Sequence, residues 1–302
     1  MPERPLLKPW YRLSVDGGRS TLRYAGSVLE FEGEAAERLL PHLLPLLDGT
    51  RSVDEVVSEL GEPVRPAVEH ALSLLRAHDL LTEPARSDRA RRCAELLAAT
   101  DAFGRTVAEL AASVAAVEVF VLGAAPAAEL VGRLLQASGV RTVTSFGWDD
   151  PVPDGFVVAA PAGAELRALE AWNRRALDAG VTWLQVLPFD GRLAAIGPVF
   201  VPKQTACHAC FLHRRDATIA PLPDRSVGAH AGSPALDAVA AGLAAHMTVR
   251  WLAADDLSDA GVVVAVEPAR EVRCTRHFVH RVPRCPACSN VSAATPWSAV
   301  AA

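Results

Sequence analysis

The 302-residue chain has little lysine and lacks a long apolar run. Lysine occurs only at Lys8 and Lys203 while arginine is abundant, a bias that weakens any argument from arginine counts. No stretch reaches the ~18 uninterrupted apolar residues of a membrane-spanning helix, and no charged-then-apolar signal sequence is recognisable at the amino terminus. We therefore predict a soluble, cytoplasmic protein with no membrane partner.

Cysteine is also sparse, yet four of the six cysteines form two Cys-x-x-Cys pairs, which are Cys207 with Cys210 and Cys285 with Cys288. Each pair offers two sulfur atoms from a tight turn, and two pairs complete the tetrahedral shell that structural Zn²⁺ prefers. Because such a closed shell leaves no position for a substrate, we predict a structural zinc ion. Disulfides are less favoured, since a chain of this length does not need covalent links to build a core.

Other arrangements of these residues stay open at the level of the sequence. The two pairs could be unrelated turns with free thiols, and His208 or Cys274 could enter the metal shell. His277 and His280, near Cys274, could form a second metal set, although structural histidines are the more common explanation. The sequence therefore favours the four-cysteine site without excluding these alternatives.

The first third of the chain has the pattern of three strands followed by three helices. The strands are predicted at residues 11–15, 20–24 and 28–31, and alternation gives the third strand one buried and one exposed face. A capping box at Ser52 begins the second helix, and the third helix runs to His78. This order of elements is the layout of a winged helix.

The usual partner of a winged helix is DNA, but the charge of this region argues against it. Residues 1–83 carry nine basic and 14 acidic side chains, a net charge of −5. A phosphate-binding face would instead show clustered arginine and lysine. A winged-helix DNA-binding regulator is thus the weaker alternative, and we predict no nucleic-acid partner.

Three segments of this region resemble a known family: the eight residues from Leu6 to Leu13, the leucine- and proline-rich stretch at residues 39–50, and Asp79-Leu80-Leu81. They resemble a PqqD-like recognition element of RiPPs (ribosomally synthesised and post-translationally modified peptides). More narrowly, they resemble the amino-terminal part of ocin-ThiF-like partner proteins of azole-forming cyclodehydratases.

The resemblance implies that an extended leader peptide adds as a strand beside the third strand and rests against the third helix. The implied leader-binding residues are Val28, Leu29, Glu30, Phe31 and Glu32 on the strand edge, and Ala67, His70, Ala71, Leu74 and His78 on the helix. For Ala71 and Leu74 an ordinary core position is the alternative.

The remainder of the chain alternates strands and helices in the manner of an open α/β sheet. Residues 117–122 form an apolar run typical of a buried parallel strand, and a helix and a second strand follow. A nucleotide-binding turn at this position needs glycines, so that backbone amides can approach phosphates. Here the turn reads Gly-Ala-Ala-Pro-Ala-Ala from Gly123, and Pro126 removes an amide donor. We therefore expect no nucleotide at this degenerate loop.

Residues 115–290 resemble the ThiF/MoeB fold of ubiquitin-activating-type enzymes. The resemblance lies in Gly197-Pro198 and Pro202 before the first cysteine pair, in the 75-residue separation of Cys210 from Cys285, and in the Pro-Arg-Cys-Pro-Ala-Cys ending. It implies that the four cysteines form that family's structural zinc site.

The adenylation machinery of that family does not match. The segment between Phe146 and Gly155 is too short for the acidic and basic residues that handle ATP in active members. Ala159-Ala160-Pro161 stands where an active member would carry a metal-binding acid. The resemblance therefore implies a non-catalytic protein, with an active ThiF-type ATP-dependent adenylyltransferase as the alternative.

The predicted fold class is α/β, with an amino-terminal winged-helix-like domain and a Rossmann-type ThiF/MoeB-like domain that carries a four-cysteine zinc site. The predicted divisions are a leader-peptide-binding domain at 1–83, a helical linker at 84–116, a ThiF-like scaffold at 117–290 and a disordered tail at 291–302. By resemblance, the chain would bind the leader of a precursor peptide and deliver it to a separate YcaO cyclodehydratase. That partner would use ATP to form azolines, as in thiazole/oxazole-modified peptides such as thiopeptides and related bacteriocins, and a homodimer is a further possible assembly.

Overall fold

The computed structural model describes residues 4–8, 11–16, 19–24, 27–82, 84, 107–218, 232–254, 257–268 and 271–289. The described residues fall into two compact units: the first contains those up to Pro84 together with residues 107–109, and the second contains those from Leu110 onward. Most of the predicted linker and the whole predicted tail lie outside the described residues, so the predicted domain boundaries stay predictions.

The described residues up to Pro84 of the first unit form two small antiparallel sheets and four α-helices. Its elements are β1 (Leu6–Leu7), β2 (Arg12–Asp16), β3 (Arg19–Tyr24), β4 (Ser27–Phe31), α1 (Glu34–Arg38), α2 (Leu40–Leu46), α3 (Val53–Leu60), α4 (Arg65–Ala77) and β5 (Leu81–Thr82). One sheet has the order β2-β3-β4, and the other pairs β1 with β5. The three strands and three longer helices agree with the sequence-based expectation, which did not include α1, β1 or β5. The winged-helix interpretation stays a prediction.

Local sequence chemistry explains how the helices of this unit begin and pack. The predicted capping box is present, because Ser52 Oγ accepts a hydrogen bond from Glu55 N at 3.2 Å and Glu55 Oε2 accepts one from Ser52 N at 2.6 Å. Leucines and valines at helical spacing turn inward to form one core, including Leu43, Val68 and Leu72. This core fixes α4 against the rest of the unit.

The second unit is built on one seven-stranded sheet. Its elements are α5 (Val107–Ala116, in this unit from Leu110 onward), β6 (Val119–Leu122), α6 (Pro126–Ala137), β7 (Val143–Phe146), β8 (Phe156–Ala159), α7 (Ala168–Ala179), β9 (Trp183–Leu187), β10 (Ala194–Phe200), α8 (His208–Thr218), α9 (Pro234–Ala254), β11 (Val262–Glu267) and β12 (Arg273–Phe278). The strand order is β12-β11-β10-β9-β8-β6-β7. Strands β6 to β9 run parallel, whereas β10, β11 and β12 are antiparallel to their neighbours. This mixed α/β sheet is consistent with the predicted ThiF/MoeB-like fold.

Burial in the second unit is concentrated in the middle of the sheet. Strands β8, β9 and β10 are buried along their whole length, as expected for strands covered on both faces. Trp172 of α7 and Trp183 of β9 meet edge to face with their ring centroids 6.2 Å apart. The two edge strands, β7 and β12, are much more exposed.

Within the described ranges, no helix combines the length and apolarity needed to cross a bilayer.

Candidate functional site

The four predicted zinc ligands come together in the core of the second unit. Cys207 and Cys210 lie at the start of α8, a helix that the sequence analysis did not predict, and Cys285 and Cys288 lie in the turns after β12. All four side chains are buried, and their sulfur atoms lie within 4.8 Å of one another. The two distant Cys-x-x-Cys pairs therefore form one cluster, as their spacing predicted.

The geometry of the cluster fits a tetrahedral zinc ion. The Sγ atoms of Cys207 and Cys210 are 3.8 Å apart, those of Cys207 and Cys285 are also 3.8 Å apart, and those of Cys210 and Cys288 are 3.6 Å apart. A tetrahedron with Zn–S bonds of about 2.3 Å has edges of about 3.8 Å. A disulfide would require a separation of about 2.05 Å. The cluster could therefore hold a metal ion, and its donor set and dimensions are consistent with zinc.

The surroundings of the four thiols favour negative charge on the sulfur of Cys210 and disfavour it on those of Cys207 and Cys288. The thiols of Cys207 and Cys288 hydrogen-bond to Cys210 and hold the pKa of Cys210 below its ordinary value, with help from the amide of Val282 at 3.3 Å. The same contact with Cys210 raises the pKa of Cys207. Both cysteines of the first pair also lie at the amino end of α8, where the helix dipole favours thiolate. A divalent cation that binds here would displace the protons that the cysteine sulfur atoms share in these hydrogen bonds.

Arginine side chains join the two cysteine turns. Arg281 donates from Nη2 to the carbonyl of Cys288 at 3.1 Å and from Nη1 to the carbonyl of Lys203 at 3.4 Å. Arg214 of α8 donates to the carbonyls of His280 and Arg281 at 3.4 and 3.3 Å. These contacts position the turns from outside the sulfur cluster.

Neither alternative ligand lies within the sulfur cluster. The buried ring of His208 places Nδ1 2.8 Å from Gln185 Oε1, and the backbone amide of His208 donates to Asn173 Oδ1 at 3.0 Å. Cys274 is exposed on β12, where His277 lies three residues away and thus on the opposite face of the strand. Among the described residues, the four-cysteine group is the only such cluster with metal-ligand geometry.

The degenerate turn at Gly123 is packed against a neighbouring turn. Gly123 has a φ of 108°, and a Cβ there would lie 2.3 Å from the carbonyl oxygen of Ala160, which follows β8. The amide of Ala125 donates to that same carbonyl at 3.4 Å. The remaining glycine of the loop is therefore needed for the close approach of two turns.

A carboxylate from the protein itself occupies the crevice between these turns. Glu165 Oε2 accepts hydrogen bonds from Ala124 N at 2.9 Å and from Ala162 N at 2.7 Å, and Oε1 accepts one from Trp148 Nε1 at 2.8 Å. Strands β6 and β8 are adjacent, and the chain reverses its strand order between them. In open α/β sheets this crevice is where ligands bind. Glu165 thus accepts the hydrogen bonds of two backbone amides, Ala124 and Ala162, that could otherwise bind an anionic ligand.

The loop after β7 closes the same end of the sheet. Arg175 of α7 donates to the carbonyls of Trp148 and Asp150, and its guanidinium lies 5.8 Å from the ring centroid of Trp172. This short loop corresponds to the segment that the sequence analysis judged too short for ATP-handling residues. It is held by contacts within the protein.

Replacing Glu165 by glutamine should destabilise the second unit in a pH-dependent way. Burial opposes ionisation of Glu165, but the hydrogen bonds from Ala124, Ala162 and Trp148 outweigh it and lower the pKa of this carboxyl. A lowered pKa contributes stability that is present above the unfolded value of about 4.3 and is lost as the pH falls through the folded value. We expect Glu165→Gln to cost about 1–2 kcal/mol at pH 7 because amide donors lose their charged acceptor.

This prediction is checked by urea unfolding of both proteins from pH 7 to pH 3, with Glu129→Gln as the matched control. Glu129 is an exposed carboxylate on α6 whose ion pair with Arg133 spans 3.6 Å, so its replacement should be nearly neutral. The stability difference between wild type and Glu165→Gln should shrink below about pH 4. A difference that stays constant over this range would contradict the role assigned to Glu165.

In the first unit, β4 is the edge strand predicted to receive the leader. Among the described residues it pairs only with β3, so its other edge carries no strand. Leu29 and Phe31 are half-buried and pack on the core, whereas Val28 and Glu30 are exposed. The predicted alternation of faces is therefore confirmed. Glu32, just after the strand, is exposed and lies 3.2 Å from the Arg19 guanidinium.

Four of the predicted helix residues share one face of α4, and the fifth, His78, continues that face directly after the last residue of the helix. Their spacing of three or four residues aligns them along the helix: these are Ala67, His70, Ala71, Leu74 and His78. Ala71 is buried in the core, and the other four are exposed. Leu74 keeps 43% of its surface exposed, so it is not an ordinary core residue. The assignment of this stripe to leader binding stays a prediction.

Sequence reasoning missed Glu165, Trp148 and the polar group around His208. Glu165 follows Ala162 by three residues, the spacing of a capping carboxylate, but the cap position lacks the serine or threonine that would have signalled it. The partners of His208 come from α7 and β9, far away in sequence. Only the folded chain brings them together.

The comparison with solved structures shows a shared fold. The chain is similar to a heterocyclase in complex with substrate and cofactor (TM-score 0.72, 20% identity), with 94% of this chain and 39% of that chain covered. It is also similar to the heterocyclase TruD (TM-score 0.71, 21% identity), with 95% and 43% covered. The chain therefore spans less than half the length of these two proteins.

A third relative of the fold is E. coli MccB. For the microcin C7 biosynthetic enzyme MccB in complex with N-formylated MccA, the TM-score is 0.64 at 14% identity, with 94% of this chain and 99% of that chain covered. No family model matches the sequence, and no curated protein matches it. At identities this low, the similarities establish the fold alone.

Proposed function

We propose that this chain is a leader-peptide-binding subunit of RiPP biosynthesis that delivers a precursor peptide to a separate YcaO cyclodehydratase. The observation that carries the proposal is the open edge of β4 in a unit that also presents an exposed stripe on α4. The fold relatives support the setting, since they include heterocyclases, one of them in complex with substrate, and a microcin biosynthetic enzyme in complex with N-formylated MccA.

The chemistry of strand addition explains what such an edge would recognise. An added peptide strand satisfies the outward-facing backbone groups of β4, which gives affinity that depends little on sequence. Selectivity then comes from side-chain contacts with Val28 and with the Leu74 stripe of α4. The rim of this surface carries His70 and His78, both exposed.

The proposed role requires no reaction within this chain. Glu165 already holds the amides of Ala124 and Ala162, and Pro126 supplies none. These features support the proposal that the second unit binds no nucleotide. Delivery alone is useful, because tethering by the leader raises the effective concentration of the core peptide at the partner enzyme.

The four cysteines would hold a structural zinc ion in the second unit. With all four positions of the tetrahedron taken by sulfur, the ion has no open site for a substrate or water. Its contribution is to link the start of α8 to the turns after β12, two segments that lie 75 residues apart between Cys210 and Cys285. The sulfur spacing supports this assignment.

The proposal is tested by titrating the full chain with synthetic leader segments of the precursor peptides encoded beside its gene. We expect saturable one-to-one binding to one leader, measured by fluorescence anisotropy, and no binding to the corresponding core peptide. If every candidate leader fails to bind while circular dichroism shows a folded protein, the proposed function is wrong.

An active adenylyltransferase is the second candidate, and one observation favours it. E. coli MccB is similar to this chain over nearly the whole of both proteins and has a solved structure with ATP. The discriminating measurement is pyrophosphate release from ATP by the purified chain, with and without leader peptide. We expect none above background, and release that depends on the peptide would replace the proposed function with this candidate.

A further inference from the structure

Helix α8 begins at the first Cys-x-x-Cys pair, and its start is buried. Cys207 directly precedes the helix, and its carbonyl accepts the first hydrogen bond along it, from Phe211 N at 3.0 Å. The first amides of a helix have no partner within the helix, and a side-chain oxygen at the preceding residue commonly accepts from one of them. Cys207 has no side-chain oxygen, and its sulfur belongs to the four-cysteine cluster. The start of α8 therefore needs an acceptor from elsewhere in the chain.

Asn173 of α7 supplies this acceptor. Its Oδ1 accepts a hydrogen bond from the backbone amide of His208, the first residue of α8, at 3.0 Å and across 35 positions of the chain. Asn173 and His208 each keep only 2% of their surface exposed, so solvent has little access to this hydrogen bond. A buried amide that loses its acceptor is left with the full penalty of its desolvation. Asn173 thus fixes the backbone of α8 at the residue that follows the first sulfur ligand.

Gln185 of β9 holds the side chain of the same residue. The Oε1 atom of Gln185 lies 2.8 Å from Nδ1 of the His208 ring, a hydrogen-bonding distance. Gln185 is completely buried, and its Nε2 has no hydrogen-bond partner among the described residues. An unpaired buried donor is unfavourable and calls for an explanation. We find that explanation in the other end of the amide, which holds the His208 ring.

Aromatic side chains limit the remaining freedom of the His208 ring. Its centroid lies 6.0 Å from that of Phe211, with an angle of 28° between the two planes, and 6.1 Å from that of Trp183. His208 is therefore held at its backbone and at its ring. Because His208 lies between the two cysteines of the first pair, within a single turn, the placement of this residue also determines where the two sulfur atoms lie.

We propose that Asn173 and Gln185 are positioning residues of the metal site, which hold His208 and, through it, the first Cys-x-x-Cys pair in the geometry that binds zinc. The proposal rests on the structural zinc ion proposed above and adds two residues beyond the four ligands. Replacing a residue that supports metal ligands from behind commonly weakens metal binding about 10- to 100-fold. A role in core stability alone would leave the geometry of the bound metal unchanged, and this difference can be measured.

The test uses the full chain and the variants Asn173→Leu and Gln185→Leu, which replace each amide by an apolar side chain of similar size. Competition with a chromophoric chelator measures the zinc affinity, and each variant should bind zinc roughly tenfold or more weakly than the wild type. Cobalt(II) bound in place of zinc reports the coordination geometry through its visible absorption spectrum. This spectrum should differ from that of the wild type in both variants, because the first pair of sulfur atoms is no longer held in place.

Two further variants separate positioning from stability. Thr248 is completely buried on α9 and donates from Oγ1 to the carbonyl of Ala244 at 2.8 Å, so Thr248→Val also removes a buried hydrogen bond from the second unit. Thr248 lies outside the core cluster that contains the cysteines, and its replacement should leave the cobalt spectrum unchanged. Asn173→Asp keeps an oxygen that can accept from His208 N, and a carboxylate is favoured at the start of a helix. It should therefore regain most of the affinity that Asn173→Leu loses.

Three results would overturn the proposal and leave the structural zinc ion in place. These are zinc affinities and cobalt spectra of the leucine variants that match the wild type, an equal loss in Thr248→Val, or an Asn173→Asp protein that binds no better than Asn173→Leu. If Asn173→Leu does not fold, Gln185→Leu and Asn173→Asp carry the same test. A wild-type chain that bound no zinc would instead overturn the assignment of the four cysteines, on which this proposal rests.

Discussion

Replacing Cys207 by serine is expected to abolish metal binding and to unfold or loosen the second unit. The four sulfur atoms lie inside the main core of that unit, among Trp172, Trp183 and Phe211. A structural zinc ion contributes on the order of 10 kcal/mol to folding in small domains, which matches or exceeds the net stability of a typical domain. A hydroxyl in place of one thiolate removes a ligand and leaves a buried polar group in this core.

The measurements are the zinc content by mass spectrometry and thermal unfolding by circular dichroism. The wild-type chain should carry one zinc ion, and Cys207→Ser should carry almost none. Cys274→Ser is the matched control, since Cys274 is exposed on β12 and lies outside the sulfur cluster. A Cys207→Ser protein that kept its zinc and its unfolding temperature would show that Cys207 is not a ligand of a structural zinc ion.

The four-cysteine cluster could be predicted from the sequence because its chemistry is local. Each Cys-x-x-Cys pair fixes two ligands within one turn, and the folding of the sheet only has to bring the two turns together. The same holds for the capping box at Ser52 and for the alternation along β4. In each case the signal spans at most a few residues, so no knowledge of the tertiary structure was needed.

The contacts that close the crevice at Gly123 could not be predicted in this way. Glu165 reaches Ala124 over 41 positions, and Arg175 reaches Trp148 over 27. The sequence showed that glycines are missing from the turn, but it did not show that a carboxylate of the same chain accepts a hydrogen bond from the turn's amide at Ala124. The exposure of β12 was likewise invisible, because its sequence is that of an ordinary strand and only the sheet order makes it an edge.

The chain has two kinds of candidate binding surface, which are the crevice beside Gly123 and the edges of the two sheets. Glu165 fills the crevice that binds ligands in open α/β sheets, whereas no strand among the described residues pairs with the outer edges of β4 and β12. Both open edges offer backbone hydrogen bonds to an extended polypeptide.

Introducing glutamate at Val28 or Leu74 is expected to weaken leader binding strongly without unfolding the first unit. Val28 keeps 52% of its surface exposed and Leu74 keeps 43%, so neither side chain supports the core. Burying the exposed half of such a side chain under a bound peptide is worth about 0.8–1.5 kcal/mol, half of the value for full burial. Its loss corresponds to roughly a 4- to 13-fold fall in affinity, and a buried carboxylate would add to the effect.

Val15→Glu is the matched control for Val28→Glu. Val15 is 48% exposed and lies on β2, the opposite edge strand of the same sheet. All three variants should unfold within about 0.5 kcal/mol of wild type, as expected for surface positions, which separates binding from stability. If Val15→Glu weakened the leader as much as Val28→Glu, the peptide would lie along β2 instead of β4. If none of the three changed the affinity while the wild type bound, leader recognition would lie elsewhere on the chain.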